Sequence, residues 1–309
     1  MKWKKKGLLF SPENQGGWMK SHAQIPTPLV MGDILRIYFA SRPKQTHSMT
    51  SFVDFDINDL TKVVYVHDEP VLQLGEPGTF DEHGIMPASV IEKDGLIYLY
   101  YSGWQRSVGV LYNNYTGVAI SEDGGKTFKR YKQGPCLDRT PDEIFSATSP
   151  CVLEVEGEWH AWYSSGTNWH EINGKLEHTY DLKYAHSNDG LTWVQPNKIG
   201  IKQVDEFEAL CMPAIIKLDN VYHMWYSYRG SDGFRQGSDE SYTLGYAKSN
   251  DLKEWQRDDA IAGIELSETG WDSQMMAYPS ICRVKDQVIL FYNGNEFGED
   301  GFGWAVLEE

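Results

Sequence analysis

A unit of some sixty residues recurs along this chain. Each copy opens on a proline and an apolar strand, passes a polar turn, and ends on a second, aromatic strand that runs into small residues. The copies read PASVIEKDGLIYLYYSG from Pro87, PCVLEVEGEWHAWYSSG from Pro150, PAIIKLDNVYHMWYSYRG from Pro213 and PSICRVKDQVILFYNGN from Pro279, with an earlier one, PLVMGDILRIYFASR, from Pro28. These prolines stand 59, 63, 63 and 66 residues apart. The period constrains the fold strongly, because a unit this short cannot bury its own apolar face and must stack on its neighbours.

A second half follows in each unit: FVDFDINDLTKV from Phe52, GVAISEDGGKTF from Gly117, KYAHSNDGLTW from Lys183 and GYAKSNDLKEW from Gly245. Alternating strands joined by the turns KDG, EGE and LDN, followed by an SxDxxxxW turn, give four short antiparallel strands per unit. Four strands repeated radially form a propeller blade. The expectation is therefore an all-β chain: one five-bladed β-propeller domain over residues 1–309, with blades near 21–75, 80–138, 142–202, 205–264 and 271–309. The last blade has three strands of its own. The segment WKKKGLLF, Trp3 to Phe10, is expected to supply the fourth and close the ring, leaving no long free edge. Two separate β-sandwiches would have no reason to keep the period or the split unit.

Charge narrows the partners. Lys plus Arg number 28 against 44 Asp plus Glu, a net charge of −16, which repels nucleic acid and anionic lipid. The four cysteines, Cys136, Cys151, Cys211 and Cys282, are too widely spaced for a disulfide framework or a metal knuckle and read as reduced core residues. The apolar part of the basic N-terminus is only GLLF, and no run approaches the ~18 apolar residues of a membrane span, so the expected location is cytoplasmic.

Five units with a proline-initiated first strand and SxDxxxW turns resemble the five-bladed propeller superfamily of sugar-active enzymes, which includes β-fructosidases, arabinanases, xylosidases and mannoside phosphorylases. WMKSHAQIP, RIYFASR, GTFDEHGIMP, MWYSYRG and the stretch GWDSQMMAYP to FYNGN carry a closer likeness. They resemble propeller proteins of bacterial polysaccharide-synthesis clusters, related to the N-terminal propeller of plant glucosamine inositolphosphorylceramide transferases. The SEDGGKTF and SNDGLTW turns are similar to sialidase Asp-boxes, which implies that Asp123, Asp189 and Asp251 are scaffold. The resemblance implies a glycan-active enzyme. One feature departs from it: hydrolases of the superfamily usually carry the catalytic carboxylate just before the first-strand proline. Here those positions hold Ile25 or Thr27, Met86, Ser149, Met212 and Tyr278.

The start of each first strand and the end of each second strand should line one mouth of the ring. That places His22, Asp81, Glu82, His83, Glu143, Glu208 and Asp272 at the mouth from one side, and Arg42, Trp104, Trp169, Arg229, Asn293 and Glu296 from the other. Such a mixture of acids, arginines, amides and indoles is what sugar recognition requires. Trp104 and Trp169 are expected to stack on a ligand. Trp162, Trp225, Phe39 and Tyr100 are expected in the core between blades. Glu82 and Glu208 each stand five residues before their proline and are the expected reacting pair, Glu208 as acid and Glu82 as base, with an inverting separation. Two arginines at the mouth point to an anionic group on the ligand. No cofactor is called for, and the spacing of His22, His83 and Glu82 supports no metal. The alternative is a carbohydrate-binding propeller without catalysis.

Overall fold

The computed structural model describes residues 1–13, 15, 17–43 and 47–308, and nearly all its regular structure is strand. The strands are β1 (Lys2–Phe10); β2 (Ser21–Met31), β3 (Ile34–Arg42), β4 (Met49–Asp56) and β5 (Asp59–Val66); β6 (Gly84–Lys93), β7 (Leu96–Arg106), β8 (Tyr112–Ser121) and β9 (Lys129–Arg130); β10 (Ala147–Val155), β11 (Glu158–Ile172), β12 (Lys175–Ser187) and β13 (Val194–Ile201); β14 (Ala209–Leu218), β15 (Val221–Arg229), β16 (Thr243–Ser249) and β17 (Gln256–Arg257); and β18 (Ala277–Val284), β19 (Gln287–Asn293) and β20 (Phe302–Glu308).

Backbone pairing sorts these strands into antiparallel meanders of four. The first runs β2 to β5, the second β6 to β9, the third β10 to β13 and the fourth β14 to β17. The last is β18, β19 and β20 with β1 added to its outer side, Lys2 pairing with Glu308 and Phe10 with Phe302. Single parallel pairs, Tyr115 with Ala147 and Tyr180 with Ala209, join the middle three into one sheet. The first strands touch in a cycle: β2 packs on β6, β6 on β10, β10 on β14, β14 on β18, and β18 back on β2.

Local chemistry explains the hairpins. Asp94–Gly95, Glu156–Gly157 and Asp219–Asn220 all have positive φ at both residues, the geometry of a two-residue type I′ turn. The Ser–Asp turns are scaffold, as their likeness implied. Asp123 accepts the amides of Lys126 and Thr127 at 3.0 Å, Asp189 those of Leu191 and Thr192 at 2.8 Å, and Asp251 those of Lys253 and Glu254.

Each second strand is apolar on both faces because each meander is sandwiched between two others. The core is divided accordingly. One cluster, with Phe39, Phe291 and Phe302, lies between the last and first meanders, and another, with Tyr38, Leu99 and Tyr101, lies between the first and second. Tyr100 and Trp159 fill the next gap, Trp162 and Met224 the one after, and Trp225 with Leu290 and Trp3 the fifth. Trp162, Trp225, Phe39 and Tyr100 are all buried between meanders, as expected. Among the described residues no helix is long and apolar enough to cross a membrane.

Candidate functional site

The cycle of first strands surrounds a cavity of about 520 Å³. This is within the usual range for a small-molecule site. Its wall is built as the repeat implied, from first-strand starts such as His22 and Ile25 and second-strand ends such as Arg42, Trp104 and Arg229. A local irregularity aims the first-strand residues inward. Ile25, Ser149, Met212 and Tyr278, each just before a proline, adopt left-handed φ of 57°, 54°, 51° and 56° where the pairing of their strands slips. Left-handed backbone is disfavoured for non-glycine residues and costs about 1–3 kcal/mol, and a bulge turns a side chain off the sheet. In the first meander this register falls at Ile25–Pro26, two residues earlier than the copy read from Pro28. Ile25, Met86, Ser149 and Tyr278 line the cavity, so these positions do face the centre and none of them is acidic.

Three arginines face this space: Arg42, Arg229 and Arg235. Arg235 pairs with Glu177 at 2.9 Å. Buried Arg229 donates to the carbonyls of Gly230 and His178 at 2.7 Å, and its guanidinium lies 3.7 Å from the centre of the Phe234 ring, over which Arg235 also lies at 4.4 Å. Arg42 donates to Gln24 at 3.2 Å. Among the described residues neither Arg42 nor Arg229 has a carboxylate within ion-pair distance. Burial, reinforced by Arg42, lowers the pKa of His22 to about 4, so this imidazole is neutral at pH 7. Burial likewise pushes the Cys211 thiol, also on the wall, up to about 11.

The acids expected at the mouth are not on the cavity wall. Asp81 is buried and accepts from Tyr101 at 2.9 Å and Arg130 at 2.8 Å. Glu143 accepts from Tyr163, from Ser165 at 2.7 Å, and faces Lys183 at 3.7 Å. Asp272 accepts from Lys5 at 2.7 Å and Tyr292 at 3.0 Å. Glu208 is gripped by Arg257 at 2.6 and 2.9 Å and accepts the Val204 amide at 2.7 Å. The same device thus recurs: a carboxylate ahead of the first strand meets a cation from the third or outermost strand of its meander, and in three cases a second-strand tyrosine as well. This corrects the expected placement. Asp81, Glu143, Glu208 and Asp272 stand five to seven residues before their prolines and share a scaffold role, and Glu208 has no free oxygen facing the cavity.

Glu82 also lies off the cavity wall, accepting from the Gly78 amide at 2.8 Å and from Gln105 at 3.2 Å, with His83 at 3.4 Å. The Gly78 bond holds its pKa below the usual carboxylate value. The expected Glu82–Glu208 pair is therefore not assembled. Asn293 is buried and fully used: its amide donates to Ala23 and Gly301 and accepts from the Ile25 amide, tying the last meander to the first. Trp169 sits on a hairpin extension and stacks on His178, with ring centres 4.1 Å apart and planes 11° apart, instead of facing the cavity. Trp104 does line it, its indole N–H donating to Ser48 at 2.8 Å, with His83 behind it at 6.0 Å. Of the expected set, His22, Arg42, Trp104, Arg229 and Glu296 come together here. Among the described residues no group of three metal-ligating side chains converges.

Sequence reasoning missed Tyr112, Tyr180, Tyr242, Phe234, Arg235 and Glu299 on the wall. A signal existed for two of them, since GSDGFRQGSDES between β15 and β16 has no counterpart in the earlier repeats.

Two relatives decide the family. The chain is 34% identical over 310 aligned positions, covering all of both chains, to the Mycobacterium tuberculosis proteins MT1551 and Rv1502, both described as uncharacterized. It belongs to their family. No family model matches this member of it. Among solved structures, the family member is similar to one described as a glycoside hydrolase, with a TM-score of 0.75 and 16% identity over 99% of this chain and 92% of that one. It is also similar to a thermostable family-43 glycoside hydrolase, with a TM-score of 0.68 and 16% identity over 96% and 92% of the two chains. A third is the α-L-arabinofuranosidase PaAbf62A of Podospora anserina in complex with cellotriose, with a TM-score of 0.68 and 13% identity over 100% and 97%. These neighbours are glycoside hydrolases of propeller type, and at such identities they show the fold that the family member shares with them.

Proposed function

We propose that this protein is a glycan-active, glycosidase-like enzyme, folded as one closed five-bladed propeller domain, which binds a saccharide carrying an anionic group in its central cavity. The observation that carries the reading is the convergence of Arg42, Arg229 and Arg235 on one cavity in a chain of net charge −16. Arg42 and Arg229 have no carboxylate partner among the described residues, and neutral sugars alone would not need them. A guanidinium fork suits a carboxylate or phosphate and gains strength where water is excluded. Trp104 offers an apolar face at the same wall, and His22 a neutral imidazole. On this reading these residues bind substrate, while Asp81, Glu143, Asp272 and Asn293 serve the scaffold.

Glycosyl hydrolysis needs a proton donor and a base or nucleophile. The carboxylates that the cavity wall presents are Glu296 and Glu299, both on the exposed loop after β19. The reading places the protein in cytoplasmic polysaccharide or sugar-nucleotide metabolism, in line with its likeness to propeller proteins of polysaccharide-synthesis clusters. Titration calorimetry with glucuronate, galacturonate and glucose 1-phosphate against glucose and galactose tests it. The anionic members should bind at least about tenfold tighter, and Arg42→Met or Arg229→Met should abolish the preference. Equal binding of neutral sugars, or full affinity in both variants, overturns the reading.

One observation favours a second reading, carbohydrate binding without turnover: none of the cavity-facing residues before the prolines is acidic, and Glu208 is neutralised by Arg257. Long incubation with an oligosaccharide that binds, followed by mass spectrometry, separates the two. Product formation that Glu296→Gln or Glu299→Gln suppresses without loss of affinity supports the enzyme.

A further inference from the structure

Three polar side chains on one stretch of the cavity wall have nothing in the protein to bond to. They are the Oδ1 of Asn114, the Oγ1 of Thr148 and the Oγ of Ser164, all shielded from bulk solvent. The strand register brings them together. Thr148 pairs directly with Ser164 across β10 and β11, and Asn114 precedes Tyr115, which bridges to Ala147 beside Thr148. Thr148 is 2% exposed and Ser164 fully buried. Buried polar groups are almost always hydrogen-bonded, and each one left unpaired costs stability. Three such groups on one cavity wall therefore mark a place where a partner is absent from the folded chain itself.

Their position relative to the arginines is set by the cycle of meanders. Arg42 belongs to the first meander, and Arg229 with Arg235 to the fourth and its following loop. The fifth meander lies between those two and contributes Tyr278, on whose phenol both Arg42 and Arg235 act electrostatically. Asn114 belongs to the second meander and Thr148 with Ser164 to the third, which is the side opposite the fifth. The three arginines thus lie on one side of the cavity, together with Glu296 and Glu299 of the fifth meander, and the unpaired hydroxyl and amide groups lie on the other.

We propose that Asn114, Thr148 and Ser164 form a subsite for ligand hydroxyls, so that a single anionic sugar unit is held with its charged group toward the arginines and its hydroxyl edge against this wall. The inference rests on the reading of the cavity as a saccharide site and adds the orientation and the second set of contacts. It specifies the ligand class: a uronic acid or sugar phosphate, in preference to a free anion or a neutral sugar. The ligand hydroxyls both donate to Asn114 and exchange donor and acceptor roles with Thr148 and Ser164, which can do either.

The test uses the full chain, with glucuronate, glucose 6-phosphate, glucose and inorganic phosphate as probes in titration calorimetry, on the parent and on Thr148→Val and Ser164→Ala. Each variant should weaken binding of the two anionic sugars about 3- to 10-fold, the span of one hydrogen bond. Binding of inorganic phosphate should not change. Neither variant should melt below the parent, because neither loses a bond within the protein. Unchanged affinity for the anionic sugars, an equal loss for phosphate, or a melting point several degrees lower would assign these groups to the scaffold and overturn the subsite. The two readings fail separately. Glucose bound as tightly as glucuronate, yet weakened in Thr148→Val, removes the anionic preference and leaves the subsite. Phosphate bound as tightly as glucose 6-phosphate, with both variants silent, removes the subsite and leaves the anion site. Binding of no probe at millimolar concentration counts against both.

Discussion

Replacing Trp3 by alanine should show how far the fold depends on its first strand. Trp3 lies on β1, is 4% exposed, and meets Trp225 edge-on with ring centres 5.2 Å apart, in the cluster that also holds Met276, Leu290 and Ala305. It therefore belongs to the core between the fourth and last meanders although it sits at the very start of the chain. Truncating a buried Trp typically costs about 3–5 kcal/mol, out of a total of about 5–15. With an unfolding entropy of about 2.1 cal/mol/K per residue, a domain of 309 residues shifts by about 1.5 °C per kcal/mol, so the midpoint should fall by roughly 5–8 °C in a thermal melt followed by near-ultraviolet circular dichroism. Two further variants separate packing from other causes. The Trp3 indole N–H has no bonding partner, so Trp3→Phe keeps a ring in place, sheds an unpaired donor, and should lose less than half as much. Leu8 on the same strand is 42% exposed, and Leu8→Ala should stay within about 0.5 kcal/mol of the parent. Deleting residues 1–10 removes Trp3 and Phe10 together and strips Lys5 from buried Asp272, and should abolish cooperative folding. A Trp3→Ala protein that melts within about 2 °C of the parent would refute the reasoning, since the strand would then decorate the last sheet without completing it.

Asn293→Ala should destabilise by about 3 kcal/mol or more, because it leaves the Ile25 amide and the Ala23 and Gly301 carbonyls unpaired in the core at about 1–3 kcal/mol each; a melting point unchanged in calorimetry would contradict it. Glu208→Gln should melt lower by the worth of a charge-assisted bond, about 1.5–3 kcal/mol, while saccharide affinity stays at the parental value, and lost affinity at unchanged stability would return Glu208 to the binding site. His22 gives a pH signature. Its folded pKa near 4 lies below its ordinary 6.5, so between these values the unfolded chain holds more protons and stability falls as pH drops from 6.5 toward 4. A bound anion nearby should raise that pKa, so ligand binding at pH 5–5.5 should take up protons and binding at pH 8 should not, as read from calorimetry in buffers of different ionisation enthalpy; His22→Gln should remove the uptake.

The repeat, the strand count per unit, the Ser–Asp turns and the buried aromatics of the second strands were legible in the sequence, because each depends on residues close together in the chain. Type I′ turns need only Asp94–Gly95 or Asp219–Asn220, and a strand such as IYLYY carries its burial in its composition. The partnership of β1 with β20 was legible too, through the unit that lacked a strand. What the sequence could not show is which side of a strand start faces the axis. Glu208 and Glu82 stand at matching distances from their prolines, yet neither is on the cavity wall, which takes the pre-proline residues Ile25, Met86, Ser149 and Tyr278 instead; Glu208, Asp81 and Asp272 are held by Arg257, Arg130 and Lys5 from the outermost strands of their own meanders. Arg130 stands 49 residues from Asp81 and Lys5 stands 267 from Asp272. Partners so far apart in the chain meet only because the meanders fold back and the ends close, and whether a carboxylate is a reagent or a strut depends on that meeting. The same holds for the cavity itself: Arg42, Arg229 and Ser164 line one space only once strands from separate units are brought around a common axis, so tertiary structure alone decided which polar residues face it.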